Sequence, residues 1–376
     1  MFDGLKPRST ARTHAEATGI PAADIAPAPV AAPATDRTPD RAPEIVRLVA
    51  VVVTYNRLGQ LRRTVRRLLS EGVDHLVVVD NASRDGTADW LGGVDDARLH
   101  VHTSRRNQGG AGGFEQGLRM ARALFDADWY LVMDDDARPH PGALARFRGM
   151  VTGAAADAPP AWDAFAGGVY YPDGTICETN RPARNPFWCW RSFARTLMGG
   201  GRAGFHVANS HYDTLHPMPV DTASFVGLFL SRAALDRADY PRGELFIYGD
   251  DVLYTLELSR AGGRIGFAPW IAFEHDCTTF RRGQGQVHRP LWKVYYNYRN
   301  GLFAYRAAAG AVLFWPVVLI SIPKWALKLR KYDRDERPVF LRLLALAVRD
   351  GIAGQRHRPH RQIRAMARPR RSRAAP

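Results

Sequence analysis

Cysteine is scarce in this sequence: three in 376 residues, Cys177, Cys189 and Cys277, an odd set with no CxxC pair. Such spacing implies neither a zinc finger nor a disulfide framework, and it fits a reducing compartment. The N-terminus, MFDGLKPRSTARTHAEATG, lacks the apolar core of a secretory signal. It continues into IPAADIAPAPVAAPATDRTPD, an Ala/Pro-rich run with too little to bury, so residues 1–45 read as a disordered leader. Acidic residues are scarce at the other end. From Lys324 onward four Asp or Glu stand against 16 Lys or Arg, so most of the net charge of +15 belongs to the C-terminal segment. No aromatics interrupt RQIRAMARPRRSR to stack on bases, which argues against a nucleic-acid partner. The apolar stretch ahead of it favours an anionic membrane leaflet, with a solvated tail as the alternative.

What is present is an alternation of buried strands and helices. IVRLVAVVVTYN is a continuous β-branched run of the kind found in a parallel strand covered on both faces. LGQLRRTVRRLLS follows as an amphipathic helix, then HLVVVDN (strand), RDGTADWL (short helix), ARLHVHTS (strand), GGFEQGLRMARALF (helix) and WYLVMDDD (strand). This spacing predicts a parallel α/β sheet whose ligands sit beyond the carboxyl ends of the strands. From about residue 150 the pattern loosens. WDAFAGGVYYPDGTI reads as a hairpin-like pair, VDTASFVGLFLSRAAL as strand then helix, ELFIYGDDVLYTLELSRAGG as a turn into a helix, and RIGFAPWIAFEHD as a strand. Residues 307–323, AAAGAVLFWPVVLISIP, carry no charge but fall short of a span and contain Pro316. With Arg306 before them and Lys324, Lys328, Arg330 and Lys331 after, they read as an interfacial or re-entrant anchor, a core helix being the alternative.

Polar clusters fall at the predicted strand ends. Alternate side chains of an extended chain share a face, so Asp134 and Asp136 converge while Asp135 faces away. Two hard carboxylates with open positions suit Mg²⁺ or Mn²⁺ bridging to phosphate oxygens. Asp80 follows four apolar residues and is placed to accept from a pyrimidine ring N–H or a ribose hydroxyl, or to cap the next helix, a task Ser83 suits equally. The glycines of RNQGGAGGFEQG, Gly109 and Gly110 among them, let backbone N–H groups approach an anion at a helix start, or else make a tight packing turn. The cluster is neither GxGxxG nor a P-loop. Asp250 and Asp251 open a helix, where its dipole favours their charged forms as bases. His275 ends a strand and can donate a neutral third ligand to the metal of Asp134 and Asp136. Trp188, Trp190, Trp270 and Trp292 are candidates for stacking on sugar rings.

In this order VVVTYNR, VVVDNAS, RNQGGAGGF, MDDDA, LFIYGDD and FEHD resemble the inverting family 2 glycosyltransferases over roughly residues 47–305. SRRNQGGAGGFEQG, FIYGDD and YYNYRN look most like the bacterial galactofuranosyltransferases that begin galactan on a polyprenyl-diphosphate-linked acceptor, with rhamnosyltransferases as relatives. The resemblance implies a GT-A fold, a Rossmann-like mostly parallel sheet flanked by helices, and the apolar and basic stretches beyond it add a C-terminal helical membrane-associating extension. The chain accordingly divides into a catalytic domain (46–300, nucleotide half 46–150, acceptor half 151–300), a membrane-associating region (301–354) and a basic tail (355–376). The resemblance also implies that Asp134, Asp136 and His275 hold Mn²⁺ or Mg²⁺. Thr54, Arg57, Asp80, Asn107, Gly109, Gly110 and Asp135 would surround the nucleotide-sugar donor. Asp251 would be the general base, with Asp250 orienting it or the acceptor. The expected setting is the cytoplasmic face of the membrane, on an anionic inner leaflet, with a polyprenyl-linked glycan as acceptor. Three alternatives stay open: a dTDP-rhamnosyltransferase, a nucleotidyltransferase (disfavoured, since TYNRLGQ replaces a basic glycine-rich loop after strand one), and an inactive membrane-anchored scaffold.

Overall fold

The computed structural model describes residues 46–153, 162–196, 198, 201–277 and 287–368. The leader expected over 1–45 and residues 369–376 of the basic tail lie outside the described residues. The chain opens with β1 (Leu48–Thr54), α1 (Leu58–Ser70), β2 (His75–Asp80), α2 (Thr87–Gly92), β3 (Leu99–Thr103), α3 (Gly109–Leu124) and β4 (Trp129–Asp134). All seven residues of β1 are buried. Its alternate side chains feed two cores: Val49, Val51 and Val53 pack with α3, and Leu48, Ala50 and Val52 with α1. A strand covered on both faces has no polar positions to spare, hence the unbroken apolar run.

The sheet runs β3-β2-β1-β4, all parallel, and the chain continues with β5 (Ala137–Pro139), α4 (Ala143–Gly153), β6 (Ala164–Tyr170), α5 (Trp190–Arg195), β7 (Met218–Val220), β8 (Leu228–Ser231), α6 (Arg232–Ala238), α7 (Asp250–Arg260) and β9 (Ile265–His275). Beyond β4 the order is β8-β6-β9-β5, and β7 also pairs with β9. Here β8 is antiparallel to both β4 and β6, whereas β6 and β9 are parallel. Strand order reverses between β1 and β4, which places a crevice at their carboxyl ends. Register sets what lines it: Thr54 pairs with Asp80, and Val53 with Asp134. The hairpin expected in WDAFAGGVYYPDGTI is reduced to a single bridge between Tyr170 and Ile176, because β6 takes its ladders from β8 and β9 instead.

The glycine-rich segment is built for close packing. A Cβ on Gly113 would stand 2.4 Å from Val53 Cγ1, and one on Gly117 2.5 Å from Val51 Cγ1, so α3 lies directly on β1. Gly109 has φ +76, and a Cβ there would meet the Phe246 carbonyl oxygen at 1.9 Å. The packing alternative for these glycines therefore holds at 109, 113 and 117. Gly110 has open space instead.

Among the described residues three α-helices follow: α8 (Trp292–Leu327), α9 (Arg337–Ile352) and α10 (His360–Met366). By length and composition residues Trp292–Lys331 suffice to cross a membrane. They do not form one rod. Gly310, at φ 69 and ψ −173, interrupts α8, and the second limb folds back on the first. Tyr298 and Trp325 have ring centroids 4.8 Å apart, where a continuous helix would separate them by about 40 Å. Phe314, Val318 and Trp325 of the second limb are buried with Phe340 and Leu343 of α9. Part of the segment read as a basic tail is α10, whose Ile363 is fully buried and whose His360 stacks on Phe246 at 4.1 Å.

Gly113→Ala and Gly117→Ala are expected to lower stability by about 1–3 kcal/mol each through overpacking against β1, and Gly110→Ala to leave it nearly unchanged, as read by chemical denaturation.

Candidate active site

A cavity of about 480 Å³ opens at the carboxyl ends of β1 and β4 and is closed on its far side by the start of α7. Thr54, Arg57, Asn107, Gly109, Gly110, all three of Asp134–Asp136, Asp250, Asp251 and His275 line it. Residues assigned from separate stretches of sequence thus share one space.

The acidic triplet and β9 meet through backbone. β5 runs antiparallel to β9 with Ala137 opposite His275, and the Asp276 N–H donates to the Asp136 carbonyl at 3.0 Å. One ligand atom each from Asp134, Asp136 and His275 lies within 4.8 Å of the others, close enough to hold a cation. His275 Nε2 is 3.2 Å from Asp136 Oδ1, while Nδ1–H donates to Asn180 Oδ1 at 2.8 Å. Asn180 is fixed in turn, its Nδ2 donating to Ser224 Oγ at 2.8 Å. An acceptor on Nδ1 keeps Nε2 turned towards the carboxylates, as metal-bound histidines require. This donor set of two carboxylates and an imidazole fits a divalent cation. Asp135 takes another course: its Oδ2 accepts from Thr54 Oγ1 at 2.6 Å, and Arg57 pairs with both Asp135 and Asp136.

On the opposite wall α7 begins at Asp250, after a loop with positive φ at Phe246 (69°) and Tyr248 (68°). Non-glycine residues hold such angles only when their surroundings impose them. Here Asn300 Nδ2 donates to the carbonyls of Leu245, Ile247 and Tyr248 at 3.1, 2.9 and 2.8 Å, and Arg299 to that of Leu245 at 3.1 Å.

Residues 49–159 match Glycosyl transferase family 2. Galactofuranosyltransferase GlfT1 of Mycolicibacterium smegmatis is 29% identical over 267 residues, covering 67% of this chain and 80% of its own. GlfT1 of Mycobacterium tuberculosis H37Rv is 30% identical over 265 residues, 67% of this chain and 79% of that protein. The chain belongs to glycosyltransferase family 2. An undecaprenyl-phosphate mannosyltransferase of Micrococcus luteus is 26% identical, covering 66% of this chain and 93% of that one. Among solved structures, S. aureus TarS 1–349 with UDP-GlcNAc superposes with a TM-score of 0.50 at 14% identity, over 86% of this chain and 90% of that one. The likeness is one of fold, an α/β architecture of GT-A type.

Within this family 2 glycosyltransferase the electrostatics separate the carboxylates. Burial and the neighbouring Asp136 push Asp134 up to about 7, and burial pushes Asp135 up to about 6. Burial acts on Asp136 too, but His275 and Arg57 outweigh it and hold that carboxyl below its usual range. Burial and the charge of Asp251 push Asp250 up to about 8. Asp251 is raised by burial to about 6, the N–H groups of Val252 (2.7 Å) and Phe225 limiting the rise. The helix dipole alone was expected to keep both charged; for Asp250 burial beside a second carboxylate prevails.

The remaining assignments divide. Asn107 Oδ1 accepts from the Gly109 N–H at 2.7 Å at the cavity edge. Asp80 is not on the cavity wall: it is fully buried, Oδ1 accepts from the Ser83 N–H at 2.9 Å, and Oδ2 has no hydrogen-bond partner. Neither Asp80 nor Ser83 caps α2, whose N-cap is Gly86. Trp292 reaches the cavity; Trp188 and Trp190 are exposed elsewhere, and Trp270 packs on the core. Asn180 escaped sequence reasoning because a lone Asn in CETN carries no pattern, whereas YYNYRN did signal the segment of Arg299 and Asn300.

Two comparisons test the carboxylate assignment. Asp251→Asn is expected to lower kcat/KM by about 10²–10⁴, and Asp250→Asn, replacing a carboxyl already neutral near pH 7, by tenfold at most. A carboxylate base acts only when ionised, so with Asp251 in that role the pH–rate profile should fall on the acid side with an apparent pKa of about 6 and lose this limb in Asp251→Asn.

Proposed function

We propose that the protein transfers galactofuranose from UDP-galactofuranose, with inversion, to a polyprenyl-diphosphate-linked glycan at the cytoplasmic face of the membrane. The observation that carries the reading is the convergence of a cation-holding set and a raised-pKa carboxylate pair on opposite walls of one cavity. A single displacement needs those two elements and no protein nucleophile. Ionised Asp251 takes the proton of the acceptor hydroxyl, whose oxygen forms the new bond at the anomeric carbon as the bond to the donor diphosphate breaks on the opposite face. Asp134, Asp136 and His275 would hold Mn²⁺ or Mg²⁺, which would supply positive charge against the departing diphosphate. Asn107 and Gly110 offer polar and backbone groups to the donor, and Arg57 adds a cation at the same edge. Asp80, buried and bonded to the Ser83 N–H, does not line the cavity. The GlfT1 similarity supports the sugar, and the lipid phosphate acceptor in the mannosyltransferase's name supports the acceptor class.

Membrane attachment draws on α8. The face of its second limb away from α9 exposes Val312 (82%), Trp315 (51%), Leu319 (72%) and Ile320 (53%), a helical stripe ending at Lys324, Lys328, Arg330 and Lys331. Apolar on one side, packed on the other and cationic at its end, this limb lies in the interface of an anionic leaflet rather than across the bilayer.

The deciding experiment supplies Mn²⁺, a lipid-linked acceptor analogue, and either UDP-galactofuranose or dTDP-rhamnose. Transfer from the first, with inverted anomeric configuration, is expected. Transfer from dTDP-rhamnose alone would replace the donor, and neither transfer nor Mn²⁺-dependent binding of a nucleoside diphosphate would leave the scaffold reading. Trp315→Glu with Leu319→Glu should reduce sedimentation with phosphatidylglycerol vesicles by about tenfold or more; undiminished sedimentation would remove α8 from the attachment.

A further inference from the structure

The two cysteines that sequence spacing left unrelated, Cys177 and Cys277, converge on His275. Their sulfurs and a ring nitrogen of His275 all lie within 4.8 Å of one another. Cys177 is fully buried, and its Sγ faces Nδ1 of the imidazole at 3.9 Å. Cys277 and His275 line the cavity. The imidazole thus stands between two donor sets of opposite character, hard carboxylates at Nε2 and soft sulfurs at Nδ1.

We propose that Cys177, Cys277 and Nδ1 of His275 form a second cation site, selective for a thiophilic divalent ion of the Zn²⁺ class, and that its occupation excludes a cation from the carboxylate site. Two thiolates and an imidazole are donors for Zn²⁺ and poor ones for Mg²⁺ or Mn²⁺. Three protein donors leave a fourth position, and the cavity borders the site at Cys277. Binding balances as Zn²⁺, two thiols and the protonated imidazole giving a neutral zinc dithiolate–imidazole unit and three protons, the third being the Nδ1 proton now donated to Asn180 Oδ1. The ring then keeps its remaining proton on Nε2, directed at Asp136 Oδ1, and offers no lone pair to a cation between Asp134 and Asp136. Ligating both ions at once would require an imidazolate. The shared ring therefore makes the two sites alternatives, and zinc an inhibitor acting through His275 rather than through the carboxylates. The exclusion rests on the cation reading given under Proposed function; the thiol site itself does not.

The test uses the full chain, kept reduced with a phosphine, and Cd²⁺ as the spectroscopic probe. One equivalent of Cd²⁺ should produce thiolate-to-metal charge-transfer absorption that is lost in Cys177→Ser and in Cys277→Ser and retained in Cys189→Ser. Zn²⁺ should protect Cys277, which lines the cavity, but not Cys189, from alkylation in the wild-type chain, a readout that does not depend on how the variants fold. Mn²⁺ binding, followed by electron paramagnetic resonance, should weaken by about tenfold or more when one equivalent of Zn²⁺ is present, and far less in the two cysteine variants. Absence of the charge-transfer band with no protection of Cys277 would overturn the site. Equal weakening of Mn²⁺ in the cysteine variants would overturn the exclusion by placing zinc on the carboxylates. A chain that shows the band and protection but never binds Mn²⁺ would retain the thiol site and refute the cation reading, and with it the exclusion.

Discussion

The short antiparallel pairing of β5 with β9 is the contact on which the site depends. Three residues, Ala137–Pro139, register against Phe273–His275, and that register carries an imidazole across 139 positions of sequence to the edge of the acidic triplet. Without it Asp134 and Asp136 would be a pair of buried like charges with Arg57 as their counter-ion, a costly arrangement. With it Asp136 has two cationic neighbours, His275 acquires a fixed orientation through Asn180, and Cys277 is drawn alongside. Thr64 reinforces the turn, its hydroxyl standing 2.7 and 2.9 Å from the carbonyls of Asp135 and Ala137.

The opposite wall is held by a different means. The loop before α7 bends through backbone angles that Phe246 and Tyr248 do not adopt freely, and its shape is imposed from α8. Asn300 spends both N–H donors on loop carbonyls, and the fully buried Arg299 adds further bonds. His360 of α10 covers Phe246 from the far side. Gly109 meets the same loop through a backbone approach that no side chain would allow. The helices beyond residue 292 are thus structural parts of the cavity. Their first limb shapes the α7 wall, and the second presents apolar surface. Gly310 makes that division possible, since its positive φ turns a segment of spanning length into two shorter helices.

The Rossmann-like half was legible in the sequence because parallel strands buried on both faces leave unbroken apolar runs. Each polar cluster ending such a run marks a carboxyl edge, and this located Thr54 and Asp134, whereas Asp251 was read from a helix start. Asp80 was misplaced relative to the cavity for an instructive reason. Register puts it level with Thr54, but its side chain turns into a local bond with the Ser83 N–H, and neither preference is visible in VVVDNAS. The glycine cluster was ambiguous in sequence because packing and anion binding use the same residue. Only the positions of Val51, Val53 and Phe246 separate Gly109, Gly113 and Gly117 from Gly110.

By itself the sequence determined the alternation of elements, the family motifs, and which residues were chemically able to act. These follow from local periodicity and from side-chain chemistry, which a linear chain displays in full. Tertiary structure decided which of them meet. Asn180, Cys177, Cys277 and His275 acquire a common meaning only through β-sheet register and loop packing, since no spacing relates a residue at 177 to one at 277. It also decided protonation, because the charge state of Asp250 depends on burial beside Asp251 rather than on its helix position. Local pattern carries information along the chain, whereas burial and proximity are properties of the space the chain encloses.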